Sequence, residues 1–114
     1  MEGGIALVAL PQADGFIKPR PALLLRRMPP FGDWLVCGIS TQLHQRVADL
    51  DEIIASSDPD FSGSGLKAAS VIRLGFLATL PPQRFQGVMG SVSPERRLRL
   101  LQRLSDFLKP SDAA

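Results

Sequence analysis

The sequence predicts a mainly β domain: a small antiparallel barrel or curled sheet with one helix at its C-terminal end. Three observations carry that expectation. Short apolar runs bounded by glycine and proline follow one another through residues 5–92. A single amphipathic helical pattern comes after them. Strand and helix signals do not alternate and no segment repeats, which excludes a parallel α/β sheet. Closing the sheet on itself also hides strand edges, which matters for a chain with this many short strands.

The elements follow in order. Residues 5–10 form an apolar run between Gly4 and Pro11, the mark of a buried strand. Residues 11–21 read as a loop with a charged tip, and 22–25 as a second strand. Met28-Pro29-Pro30-Phe31-Gly32-Asp33 turns the chain into a third strand at 34–39. Residues 49–54 suggest a fourth strand. Ser, Asp, Gly and Pro fill 56–65, which reads as a loop. One or two strands occupy 69–80, interrupted at Arg73 and Gly75, and a further strand spans 87–92.

Ser93 then caps a helix, with Pro94 at its first position and Glu95 at the positive end of its dipole. Leu100, Leu101, Leu104, Phe107 and Leu108 share one arc, expected to face the core. Arg97 lies inside that arc and is expected to snorkel at its edge. Pro110 stops the helix.

The chain has 114 residues, room for one domain at 1–110 and a frayed tail at 111–114. Apolar residues make up 45% of it, enough for a core without staples. The one cysteine, Cys37, excludes an internal disulfide and a cysteine-cluster metal site, and its apolar setting predicts a buried, inert thiol. No apolar run approaches the ~20 residues of a membrane span. Met1-Glu2-Gly3-Gly4 lacks the basic start of a secretory signal, so a cytoplasmic protein is expected. The formal charge is only +2, yet ten of thirteen basic residues are arginine, whose planar fork suits phosphate. Aromatics are sparse and tyrosine is absent, which argues against an aromatic platform for single strands.

Chemistry-bearing motifs are few. One histidine, His44, rules out a histidine pair, and its polar loop setting predicts a solvated side chain. There is no Gly-rich phosphate loop, HExxH or CxxC, so neither cofactor nor metal is expected. Gly63-Ser64-Gly65 reads as a flexible turn. Pro19 and Pro21 push Lys18 and Arg20 into extended conformations, and alternation points both to one side. A cation pre-set at a strand mouth grips phosphate at low ordering cost. From spacing alone, a solvated arginine in a stiff loop is the simpler reading. Ser40 and Thr41 stand where the third strand ends; they suit a phosphate contact or the start of a turn, and spacing does not choose. Asp49, Asp51, Glu52, Asp58 and Asp60 read as a solvated acidic rim, and Arg96, Arg99 and Arg103 as a wet helix face. The Met28–Trp34 turn fits a partner contact and a packed corner equally well.

Taken together, these pieces resemble the PemK/MazF family of bacterial toxins. An opening Gly4-Ile5 strand, a loop closed by Arg20-Pro21 and a strand ending in Ser40-Thr41-Gln42 match its pattern. So do Gly65-Leu66 followed by Ser70-Val71-Ile72-Arg73, and Gly87 to Ser93 leading into the last helix. The resemblance runs from about Gly4 to Leu108. It implies an SH3-like barrel, a homodimer, a cognate antitoxin and metal-independent, sequence-selective cleavage of single-stranded RNA to a 2′,3′-cyclic phosphate. By position it implies catalytic roles for Arg20, Ser40 and Thr41, and RNA contacts from Lys18 and Gln42. The chain departs from the family in the loop Gln12-Ala13-Asp14-Gly15-Phe16-Ile17, which lacks the usual Ser-Glu-Gln-like segment, and in serine at position 40 for threonine. The competing expectation is a non-catalytic RNA- or protein-binding module of the same fold; inhibition of DNA gyrase, a task of some proteins of this fold, is a third.

Overall fold

The computed structural model describes residues 1–11, 15 and 17–110. The expected tail at 111–114 and loop residues 12–14 and 16 lie outside the described residues. Six strands form one antiparallel sheet: β1 (Gly4–Pro11), β2 (Ile17–Met28), β3 (Asp33–Ser40), β4 (Glu52–Ile54), β5 (Ser70–Leu80) and β6 (Phe85–Ser91). Their spatial order is β4-β5-β3-β2-β1-β6. A short helix α1 (Phe61–Ser64) precedes β5, and α2 (Pro94–Leu108) follows β6. The mainly β architecture with a C-terminal helix is as expected. The sheet is curled rather than closed, because the edge strands β4 and β6 are not paired with each other.

Both faces of the sheet are apolar. Ile5, Leu23, Leu25, Cys37, Ile39, Ile72 and Leu74 pack under Leu100 and Leu104 of α2. Ala6, Val8, Ala22, Leu24, Trp34 and Val36 form a second cluster on the other face, with Phe76, Leu80 and Phe85 packed against it. Double-sided burial is why β2 reads as an unbroken apolar run rather than an alternating one. Each fully buried leucine contributes roughly 1.5–3 kcal/mol relative to exposure.

Several boundaries differ from expectation. Residues 11 and 17–21 are strand, not loop, since β1 and β2 stay paired out to Pro11 and Ile17. Pairing with β3 starts only at Ala22, so the Lys18–Pro21 stretch keeps an open edge, where a strand tolerates proline. The fourth strand is confined to Glu52–Ile54. Within 56–65, Gly63 and Ser64 end α1 and Gly65 caps it, the whole closely seated on β6. A methyl at Gly65 would strike the Met89 carbonyl, and one at Gly90 would strike that of Gly63.

The helix follows its signals at the start. Ser93 Oγ accepts from the Arg96 amide at 3.1 Å. Arg97 reaches the Leu25 carbonyl and the Glu2 carboxylate at the core's edge. Phe107 and Leu108 are the exception: core contact ends at Leu104, and both are about two-thirds exposed (67% and 68%).

The wet helix face and the solvated acidic rim hold only at their margins, where Asp49 and Arg99 are exposed; their centre is an ion-pair cluster. Arg96 is buried, its guanidinium bonded to Asp60 (2.8 Å), Asp58 (2.9 Å) and Glu52 (3.0 Å). Arg99 and Arg103 close on Glu52 at 2.9 and 3.3 Å. Asp51, also buried, accepts from the amides of Val47 and Leu74, both at 2.9 Å. Charge mattered here more than polarity: the acids were brought inside because the arginine opposite them was brought inside too. Burial pushes the Glu52 carboxyl up, but the hydrogen bond and charge of Arg99, with Arg96 and Arg103 behind, bring it below its ordinary range. The Arg96 hydrogen bond holds Asp60 down at about 2.

Candidate functional site

Strand register builds the site. Ala22 faces Gly38 and Leu24 faces Val36 across β2 and β3. Arg20 and Ser40 each stand two residues beyond the Ala22–Gly38 pair, so alternation puts both on the same face at the same end. On the other side of β3, Arg73 of β5 pairs with Gly38. Gly38, which carries no side chain, lines a hollow that Arg20, Ser40 and Arg73 also line.

That hollow is a cleft of ≈ 420 Å³. Four expected site residues, Arg20, Ser40, Thr41 and Gln42, line it together. Lys18 lies farther out on β2, exposed, and does not line it. Ser40 Oγ accepts from the Gln42 amide at 3.0 Å, so the serine does start a turn, and that turn carries Thr41 and Gln42 to the rim. His44 sits exposed in a 3₁₀ turn spanning Leu43–Gln45 and stays outside the cleft, whereas Gln45 lines it.

Two further cations complete the lining. Lys67 comes from the α1–β5 connection and Arg73 from β5. Among the described residues, no Asp, Glu or His lines the cleft. Among the described residues, Arg20, Lys67 and Arg73 form no ion pair. Three positive charges beside hydroxyls and side-chain amides suit a phosphodiester. The floor is apolar, with Ile39, Leu66, Phe76 and Met89. Cys37 lies beneath, fully buried, and burial pushes its thiol up, as an inert core group.

Sequence reading singled out neither Lys67 nor Arg73 as a site residue. A signal existed for Arg73, a lone charge inside the apolar run Val71-Ile72-Arg73-Leu74. For Lys67 there was none, since its position depends on how α1 seats against β6.

The profile of the PemK-like, MazF-like toxins of type II toxin–antitoxin systems matches residues 1–108. The chain belongs to that family. No curated protein matches it. Membership in the PemK/MazF family supports a toxin role and implies an antitoxin partner. Among the described residues, no helix is long and apolar enough to cross a membrane.

Proposed function

We propose that this PemK/MazF-family chain is a sequence-selective endoribonuclease that cleaves single-stranded RNA in the Arg20–Ser40 cleft. The observation that carries the reading is the cleft's charge: Arg20, Lys67 and Arg73 line it, with no carboxylate beside them among the described residues. In the proposed step the RNA 2′-oxygen attacks the adjacent phosphorus and the bond to the 5′-oxygen breaks. The products are a 2′,3′-cyclic phosphate and a 5′-hydroxyl. Arg20 answers the charge that builds on the phosphoryl oxygens. Ser40 accepts the Gln42 amide and keeps its own O–H to donate to the phosphate, with Thr41 beside it. Gln42 contacts the RNA at the rim, and Lys18 extends the positive edge outward. Among the described residues no carboxylate or imidazole lines the cleft to act as a strong general base, and a modest rate is expected.

The test is incubation of the purified protein with a mixed RNA pool in EDTA, followed by mapping of ends. Cyclic phosphates at a short recurring sequence are expected. Intact RNA would leave the non-catalytic binding module in its place. A homodimer is part of the proposal, resting on exposed apolar surface such as Phe31, 86% exposed at the β2–β3 turn. Sedimentation across micromolar concentrations checks it, and a monomer throughout would refute it. We place the protein in the cytoplasm, where RNA and an antitoxin would meet it.

A further inference from the structure

We propose that Phe76 is a nucleobase-binding residue, its ring stacking a base next to the phosphate held at Arg20 and Arg73. The proposal rests on the cleft's being an RNA site and adds to it a subsite for the base.

β5 carries a bulge beside the cleft. Gly38 pairs with Arg73, but its neighbour Cys37 pairs with Leu77, so residues 74–76 make an excursion from the ladder. Such an excursion reverses which side chains face which way. Ile72 and Leu74 belong to the core under α2. Phe76, Ala78 and Leu80 have the same parity and yet pack on the opposite face. The bulge thus moves an aromatic ring out of the main core and onto the cleft face, where it joins Arg73.

Gly38 makes room for it. A Cβ at that position would lie 3.2 Å from Phe76 Cδ1 and 3.4 Å from Cγ. Lacking one, β3 lets the ring settle against its backbone. Phe76 remains half-buried and lines the cleft. Besides packing on the second core cluster, the ring is left part-exposed beside the cations of the cleft. A nucleobase does fit there: every base has a π-face, and stacking on an aromatic ring tolerates any base identity. Arg73 on the same face adds a planar cation that stacks on aromatic groups as well as on phosphate. One ring provides one stacking position, which suits a short recognised sequence rather than a long strand.

The test is equilibrium binding, so that it does not depend on cleavage. Short single-stranded RNAs carry 2′-fluoro groups in place of the attacking hydroxyls, with 2-aminopurine moved through each position in turn. The parent protein should quench 2-aminopurine at one position. Phe76→Leu keeps apolar bulk and loses the ring; it should abolish that quenching and weaken binding about tenfold to a hundredfold. Phe76→Tyr should retain both. An abasic nucleotide at the quenched position should weaken the parent by a similar factor and leave Phe76→Leu little changed. Unaltered quenching and affinity in a Phe76→Leu protein with native circular dichroism would overturn the proposal. So would an abasic penalty equal in both proteins. If Phe76→Leu does not fold, the parent alone decides: no abasic penalty at any position refutes the stack. Binding and quenching without cleavage would remove the nuclease reading and uphold the stacking site, whereas a parent that binds no RNA refutes both.

Discussion

Arg96 and Arg20 put the same guanidinium in opposite settings. Arg96 is 6% exposed, and three carboxylates surround it. Arg20 is exposed at the mouth of a cleft that, among the described residues, no carboxylate lines. Around Arg96, every charge is spent on neighbours, and the result is a clamp between α2, β4 and the stretch leading into α1. Around Arg20, small residues and an open strand edge leave the charge unanswered. The comparison teaches that an arginine's count or helical position says little. Its carboxylate neighbours decide whether it holds the fold or waits for a ligand.

Removing each arginine in turn should produce opposite losses. Arg96→Ala leaves Asp58 and Asp60 without their ion-pair partner and Glu52 with only Arg99 and Arg103, and should cost about 3–5 kcal/mol of unfolding free energy. Urea denaturation checks it; a loss under about 1 kcal/mol would mean the clamp is ornamental. Arg20→Ala should leave that denaturation curve alone and reduce the cleavage rate about 10²–10³-fold, with turnover affected more than binding. Arg20→Lys should not restore full activity, because a point charge lacks the fork. Ser40→Ala should be milder, and Ser40→Thr tolerated. Full cleavage by a folded Arg20→Ala protein would end the proposed mechanism.

Acid should separate the clusters next. The folded value of Asp60, about 2, lies below its ordinary 3.8, so the fold favours the ionised carboxylate. Its contribution is therefore complete above about pH 4 and lost as pH falls toward about 2, on the order of 2 kcal/mol. Glu52, also lowered, acts in the same direction. Urea midpoints measured down this range should fall, and should fall less in Asp60→Asn. A parallel fall in both proteins would assign the acid sensitivity elsewhere.

The smallest effect concerns the cleft's own charge. Three phosphate contacts on a single strand predict a log–log salt slope of about −2. Lys67→Ala should bring it about 0.7 nearer zero, weakening all RNA sequences alike. Salt-independent binding would remove the electrostatic reading of the cleft, while the clamp at Arg96 would stand unaffected.

Much of the frame was legible in the residue order. Ser93-Pro94-Glu95 announces the helix because capping is settled within one turn. Pro19 and Pro21 announce an extended Arg20 because a ring fixes its own φ and restricts its neighbour. Short apolar runs and a terminal amphipathic pattern were enough for a mainly β fold. Arg20 and Ser40 were each visible as chain-local features, a stiffened cation and a hydroxyl at a strand end. That they stand across from one another came from register, since both lie two residues past the Ala22–Gly38 pair.

The tertiary structure alone decided the rest. Arg96 bonds Asp60 and Glu52 from 36 and 44 residues away, a distance over which local polarity carries no signal. The outer turn of α2 has the right arc at Phe107 and Leu108, but core contact stops at Leu104. Lys67 enters the cleft because α1 seats its glycines on β6, and Phe76 enters it because a bulge in β5 reverses the strand's faces. Local sequence sets which conformations are cheap for a few residues at a time. Which charges meet, and which face a ring occupies, depends on strand register and on partners brought together only when the whole sheet curls.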